Sequence, residues 1–322
     1  MKFKKTIFVT GGAGFIGSNY LNMFVPQRPD ELFVNIDSLT YAANPENLAS
    51  IAKLPNYIFE KVDIRDAAAL EKIFAKYKPD GIIHFAAESH VDHSINGPEI
   101  FIETNVRGTH NLLSLARKHV VKRFHQVSTD EVYGSLGPRD PAFTETTPPA
   151  PNNPYSASKA SADLIARSYH KTFGLDVTMT RCSNNYGPYQ DTTKLIPLFI
   201  KKLIAGEHVP LYGKGDNIRD WLYVGDHVTA IDAVFNKGKA GEIYNVGGNE
   251  EVRNIDVVKK LLAITGRDDS FIDHVTDRLG HDFRYAIDAS KIERELGWSP
   301  SVNFEQGMKK TFDFYSKKFK SS

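Results

Sequence analysis

Cysteine is nearly absent. The 322 residues contain one, Cys182, which excludes an internal disulfide and any metal centre built from several thiolates, so no metal is expected. Long apolar runs are missing too, since none approaches the roughly 20 residues that a membrane-crossing helix needs. The opening Met1-Lys2-Phe3-Lys4-Lys5 is basic like the start of a secretion signal. Only Thr6-Ile7-Phe8-Val9-Thr10 follows before glycines begin, too short for a signal core. A surplus of one charge is also lacking: 40 Lys and Arg stand against 39 Asp and Glu, a formal net charge of +1. Nothing in that balance calls for nucleic acid or a membrane surface as partner, so any phosphate is held by local groups. These absences describe a cytoplasmic protein. What remains is ordinary for a globular chain, with 41% hydrophobic and 25% charged residues and enough length for two lobes.

The chain then alternates strand and helix patterns. The β-branched run Thr6–Thr10 reads as a buried strand and leads into Gly11-Gly12-Ala13-Gly14-Phe15-Ile16-Gly17, with a helix from Phe15 to Phe24. Glycines at 11, 14 and 17 suit a tight turn, close approach to a pyrophosphate and close helix packing, and the helix N-terminus offers free N–H groups to a phosphate. Alone the glycines could be a flexible turn; the flanking strand and helix make them a dinucleotide fingerprint. A second strand, Leu32–Ile36, ends at Asp37, twenty residues beyond Gly17. An acid there meets an adenosine ribose diol and repels a 2′-phosphate, so NAD is favoured over NADP. Asp63-Ile64, after strand-like Tyr57–Val62, is a contact for the adenine. Ala86 and Ala87, after Gly81–Phe85, let the cofactor pass closely. Helices are expected over 67–77, about 101–119, 155–173, 196–205 and 304–319, and further strands at Phe124–Ser128 and Val177–Arg181. The loop from Gly137 to Pro154 borders the cleft. This order predicts an α/β fold: a Rossmann-like, doubly wound parallel sheet with a smaller C-terminal α/β substrate lobe. The first domain spans 1–188 with a return of roughly 220–246, and the second is mainly 189–322.

Two features carry chemistry. Thr129-Asp130-Glu131 follows an apolar strand, where an α/β crevice opens. Adjacent carboxylates repel, so their titrations split and one stays protonated while the other is ionised. Neighbours on a straight strand face opposite ways, so a shared task requires the chain to turn at Asp130. Tyr155 and Lys159 stand four apart on a helix and project from one face. A lysine ammonium one turn away, with a positive nicotinamide ring, lowers a phenol that otherwise titrates near ~10. Each feature also has a bland reading, as a polar strand exit or a surface pair, and it is their company with the glycines that favours catalysis.

On these residues the chain resembles the extended short-chain dehydrogenase/reductase family, whose members act on nucleotide sugars. Four runs look like its 4,6-dehydratase branch: Ser128-Thr129-Asp130-Glu131-Val132-Tyr133-Gly134, Ala86-Ala87-Glu88-Ser89-His90-Val91-Asp92, the run Ser183 to Gln190, and the run Asp277 to Asp288. The similarity extends from about Lys5 to Trp298. Leu279 and Phe283 depart from it, standing where proline and arginine are expected.

The resemblance implies NAD as cofactor, dTDP-glucose as substrate and a homodimer joined through helices of the cofactor lobe. It implies that Tyr155, with Thr129 on the same oxygen and Lys159 beside it, removes the proton of the sugar 4-hydroxyl. Glu131 then takes the C5 proton and Asp130 protonates the departing 6-hydroxyl. For the cofactor it implies Gly11, Gly14, Phe15, Ile16, Gly17, Asp37, Ser38, Leu39, Thr40, Asp63, Ile64, Phe85, Ala86, Ala87, Ser89, Thr104, Tyr155, Lys159 and Asn184. For the substrate it implies Arg219 and Arg278 on the diphosphate, with Glu88, Ser89, Thr129, Asn185, Lys194, Leu195, Pro210, Tyr212, Asn254, Asp277 and His281 around them. Three relatives compete: GDP-mannose 4,6-dehydratase, a UDP-hexose 4-epimerase and a uronate decarboxylase. The last two need no acid–base couple to eliminate water. A non-catalytic NAD-sensing protein is a fourth alternative, with no use for the full set of side chains.

Overall fold

The computed structural model describes residues 2–277 and 282–320. In strand β1 (Lys5–Thr10), Ile7 and Val9 join one apolar cluster and Phe8 another, because successive strand side chains alternate. Both faces are covered, which is why the run is apolar without a polar stripe. Helix α1 (Phe15–Gln27) follows, then β2 (Glu31–Ile36), in which Phe33 packs with Ile7 and Val9 while Val34 and Ile36 pack with Phe8. The first half continues through β3 (Tyr57–Glu60), α2 (Ala67–Tyr77) and β4 (Gly81–His84).

Periodicity gives one helix over about 101–119, and here the structure differs. After α3 (Val91–Asn96) come α4 (Glu99–Phe101), a π-helical stretch Ile102–Gly108 and α5 (Thr109–Lys118). A π turn inserts a residue that a 3.6-residue period cannot register. The inserted turn faces Asn105, 1% exposed, toward the β4 exit. There its side chain accepts from Glu88 N at 2.8 Å and donates to Glu88 O at 3.0 Å and Ser158 Oγ at 2.8 Å.

The chain proceeds through β5 (Arg123–Thr129), α6 (Pro154–Phe173), β6 (Val177–Cys182) and β7 (Asn184–Tyr186). Then come α7 (Leu195–Ile204), β8 (Val209–Tyr212), β9 (Ile218–Tyr223), α8 (Val224–Lys237) and β10 (Ile243–Val246). The last elements are β11 (Glu251–Arg253), α9 (Asn254–Thr265), β12 (Ile272–Val275), α10 (Ser290–Leu296) and α11 (Phe304–Lys320).

A seven-stranded sheet runs in the order β10-β6-β5-β4-β1-β2-β3, all neighbours parallel. Its order reverses between β1 and β4, so a crevice opens beyond their carboxyl ends. Helix α8 covers the β1 face through Val224, Ile231 and Phe235, and β10 adds the edge strand beside β6. Smaller sheets, β11-β9-β7 and β12-β8, pack with α7, α9 and α11 around Tyr186, Phe199, Trp221, Leu261 and Phe304.

Candidate active site

Strands β1, β2, β4, β5 and β6 all deliver their carboxyl ends to one elongated cavity of about 340 Å³. At the β1 exit, Gly11 has φ +70°, and a Cβ there would lie 2.7 Å from the Ala86 backbone. A Cβ on Gly17 would lie 2.4 Å from the Gly11 carbonyl, so only glycine lets α1 start so close to the strand. No side chain caps α1 at Gly14, and Gly14, Phe15, Ile16 and Gly17 line the cavity with the helix N-terminus toward it. At the β2 exit, Asp37 accepts from Ala13 N at 2.9 Å and Leu39 N at 2.8 Å, which aims the carboxylate while leaving lone pairs for a diol. Burial pushes its carboxyl up and the two N–H donors pull it back.

Ser38, Thr40, Asp63, Ile64, Phe85, Ala86, Ala87, Glu88, Ser89, Thr104 and Asn184 line the same cavity. Leu39 is not among the lining residues. It has φ +57° and packs its side chain on the apolar cluster beneath the cavity, leaving its backbone N–H to serve Asp37. The donor set fits a dinucleotide: an uncapped helix N-terminus for the pyrophosphate, a buried carboxylate, Asp37, and a half-buried one, Asp63, at two strand ends, and small residues along the path.

The reacting groups lie at the far end. Strand β5 stops at Thr129, and a tight 3-10 turn over Asp130–Tyr133 supplies the change of direction that the acid pair requires. Thr129 Oγ1 accepts from Glu131 N at 3.2 Å and donates to Asp130 Oδ1 at 3.3 Å. Asp130 is 1% exposed, and its Oδ2 has no hydrogen-bond partner among the described residues. Burial, the Glu131 carboxylate and the Asp220 carboxylate together hold Asp130 well above the usual carboxyl range, with Arg219 opposing. The environment therefore favours a protonated Asp130.

Tyr155 and Lys159 project from the first turns of α6, which Asn153 caps. Tyr155 hydrogen-bonds Thr129, and its ring meets Phe101 edge-on at 6.3 Å. Lys159 is buried and donates to Val127 O at 2.8 Å. The lowering of the Tyr155 phenol expected from Lys159 and a positive nicotinamide ring is opposed by the protein's own groups. Burial and the Glu131 carboxylate push the phenol well above its ordinary value, and burial pulls the Lys159 amine down. A carbonyl rather than the phenol takes the Lys159 proton, so desolvation outweighs the charge effect. Behind this cluster, Asp163 accepts from Ser128 Oγ and Arg181 Nε, each at 3.0 Å, and the guanidinium sits 4.7 Å from the Tyr133 ring.

A second cavity of about 490 Å³ adjoins the first. Asn185, Lys194, Leu195, Pro210, Tyr212, Arg219 and Asn254 line it, and it shares Glu131, Asn184, Asn185 and Lys194 with the first. Arg219 donates to the carbonyls of Ile218 at 2.7 Å and Asp282 at 2.9 Å, and lies 4.5 Å from the Tyr285 ring. Asp277 stands beside Gly213 and is not among the lining residues. Arg278 and His281 lie outside the described residues, as does Leu279. Phe283 accepts from Ile218 N at its carbonyl and is 38% exposed as a residue.

Sequence reasoning passed over several lining residues. Tyr41, His90 and His93 form an aromatic cluster at the mouth, with centroids 4.9–5.1 Å apart. His90 reaches Thr193 Oγ1 across the cleft at 3.2 Å. His90 and Gln190 fall inside the motif runs, and that was the available signal. Tyr41 and Asp191 lie in polar loops that carry none.

Comparison with known proteins agrees with this geometry. The family model described as GDP-mannose 4,6 dehydratase matches residues 8–311. The dTDP-glucose 4,6-dehydratase of Shigella flexneri is 51% identical, over 96% of this chain and 92% of its own. The crystal structure of DesIV, the dTDP-glucose 4,6-dehydratase of Streptomyces venezuelae, with NAD and TYD bound, superposes with a TM-score of 0.93 at 49% identity, covering 97% of each chain. The Bacillus anthracis dTDP-glucose 4,6-dehydratase in complex with NAD gives 0.91 at 48% identity, again over 97% of each.

Proposed function

The chain belongs to the GDP-mannose 4,6 dehydratase family, and on that premise we propose that it removes water from dTDP-glucose to give the 4-keto-6-deoxy sugar. One observation carries the reading: Glu131 lies where the two cavities meet, next to a buried Asp130 whose carboxyl is pushed well above the usual range, and close to Tyr155. An epimerase or a uronate decarboxylase has no step that needs such a couple.

NAD, when bound in the first cavity, supplies a hydride acceptor for C4, the same hydride for C6, and a positive ring beside Tyr155. The protein does the rest. Tyr155 takes the 4-hydroxyl proton while Thr129, already bonded to it, holds the same oxygen. A ketone at C4 acidifies the C5–H, which Glu131 removes. Asp130 protonates the 6-hydroxyl, and water leaves. Lys159 fixes α6 to the β5 carbonyl of Val127 and so sets the tyrosine against the turn. The nucleotide occupies the second cavity between Pro210, Tyr212 and Asn254. Lys194 and Arg219 stand near the diphosphate, with Arg278 and His281 as further contacts.

Two lobes suit this division of labour: residues 1–188 with the return of roughly 220–246 for the cofactor, and the remainder for the nucleotide sugar. A homodimer is proposed through the helical stretch 101–119 and α6. No described helix is long and apolar enough to cross a membrane. The test is incubation with a panel of nucleotide-hexoses while mass spectrometry follows loss of water. Loss from dTDP-glucose is expected; turnover of a UDP-hexose to its 4-epimer without water loss overturns the proposal.

A further inference from the structure

The turn that carries the acid pair touches α6 at a residue to which no role has been given. Ser156 is fully buried. Its Oγ lies 3.3 Å from Glu131 Oε2 and 3.0 Å from Asn153 Oδ1. Asn153 Oδ1 also accepts the Ser156 backbone N–H at 2.9 Å, so the helix cap does not depend on the hydroxyl. A hydroxyl has one proton and two lone pairs, so it donates to one of these oxygens at a time. The separations are at and beyond the upper end of the usual O–H···O range, as expected where neither acceptor holds the proton outright.

We propose that Ser156 is a positioning residue for Glu131, its hydroxyl donating to the carboxylate while Glu131 is ionised and turning to Asn153 once Glu131 has taken a proton. The inference rests on the reading of Glu131 as the C5 base. In the first setting the hydroxyl orients the carboxylate and favours its charged form. In the second, Ser156 Oγ accepts the new Glu131 O–H while its own hydroxyl donates a hydrogen bond to Asn153 Oδ1. The balance is simple. The C5–H bond breaks, a Glu131 O–H bond forms, and the electron pair moves into the C5–C6 bond as water leaves with the proton from Asp130. Ser156 gives up no proton; it rotates. Asn153 makes the rotation possible because its carbonyl accepts and never competes as a donor.

Among the described residues, the titratable groups near Glu131 include Asp130 on its own turn, Tyr155 on α6, Cys182 on β6 and Tyr285 ahead of α10, with His90, Asp191 and Lys194 lining the same cavities. All are unchanged by substitution at 156, so a moved pH profile reports the hydroxyl.

The test compares Ser156→Ala with the unaltered enzyme in D₂O, using dTDP-glucose. Two rates are read: C4 oxidation, from the ultraviolet absorbance of reduced nicotinamide, and deuterium entry at C5, by mass spectrometry. Loss of one hydrogen bond to a charged group slows C5 exchange about tenfold. C4 oxidation is unchanged, and the acidic limb of C5 exchange moves to higher pH. Ser156→Thr, which restores a hydroxyl, recovers the rate. If both rates fall together with the melting temperature, or if C5 exchange is unaffected, Ser156 merely fills space and the proposal is wrong. Glu131→Gln, run in parallel, separates the two readings. Undiminished C5 exchange in that variant removes Glu131 as base, whatever Ser156 does.

Discussion

Asp130 and Glu131 differ by one position and by almost everything that decides a carboxyl's charge. Asp130 is enclosed, with Oδ2 unpartnered among the described residues and two carboxylates nearby, which pushes its carboxyl well above the usual range. Glu131 faces both cavities, donates its backbone N–H to Thr129 Oγ1 and accepts from Ser156 Oγ at its side chain. Exchanging the charge of one without the other should stop the reaction at different points. Glu131→Gln cannot accept the C5 proton, so solvent deuterium enters C5 poorly, while Asp130→Asn exchanges C5 readily yet loses water slowly. Both variants should still oxidise C4, and labelling reversed between them would show that the two roles are swapped. The pH dependence follows from the same burial. A carboxyl held above its ordinary value serves as an acid until the pH rises through that raised value, so the alkaline limb of turnover belongs to Asp130 and should vanish in Asp130→Asn. Tyr155→Phe keeps the ring and loses the proton acceptor. C4 oxidation should fall by about 10² to 10⁴, with nucleotide-sugar binding retained. Near-normal oxidation in that variant would remove Tyr155 from the role.

At the scale of elements, the most consequential piece is the start of α6. Asn153 caps it by accepting Ser156 N at 2.9 Å, Pro154 occupies the first turn, and Gly174, with φ +70°, ends it. The first two turns carry Tyr155 and Lys159. Asn153→Ala should therefore cost about 1 kcal/mol of stability. It should also lower turnover by more than that loss explains, because the frayed turn is the one that aims Tyr155. Thermal melts beside C4 oxidation rates check this, and a lower melting point with unchanged oxidation would show that the cap is not needed for aim.

Much of this layer was legible beforehand. The runs of Ile7, Phe8 and Val9, the glycines and the four-residue step from Tyr155 to Lys159 obey local rules that tertiary contacts do not override. What was hidden follows from non-local causes. The π turn that faces Asn105 toward Glu88 and Ser158 breaks the period used to see helices. Strands β7, β8, β11 and β12 are only three or four residues long, and β8 contains Pro210, so no alternation could reveal them. The upward push on Tyr155 comes from enclosure by several elements, whereas spacing along one helix shows only the lysine.

The whole molecule presents an apolar surface that its own core does not use. Ile95 on α3, Ile100 on α4 and Ile102 in the π stretch are 48%, 38% and 57% exposed, and Leu164 on α6 is 56% exposed. These elements pack beside one another on the cofactor side of the molecule. Scattered exposed apolar residues need no explanation, but several on adjoining helices are suited to burial against a like surface. Two-fold association is the commonest way to provide one, because each copy brings the same patch. The helices concerned also bear Asn105, Tyr155 and Lys159 on their inner sides. A partner that fixed α6 from outside would thus steady the catalytic turn from behind. Sedimentation should give roughly 72 kDa, twice the chain's 36.0 kDa. The double change Ile102→Glu and Leu164→Glu places four carboxylates at a two-fold contact, two from each copy, and should yield a folded monomer that still binds NAD. Its turnover should fall with the loss of support behind α6. A monomer of unaltered sequence, or a dimer indifferent to both glutamates, would mean that these helices face solvent and that α6 holds its catalytic pair unaided.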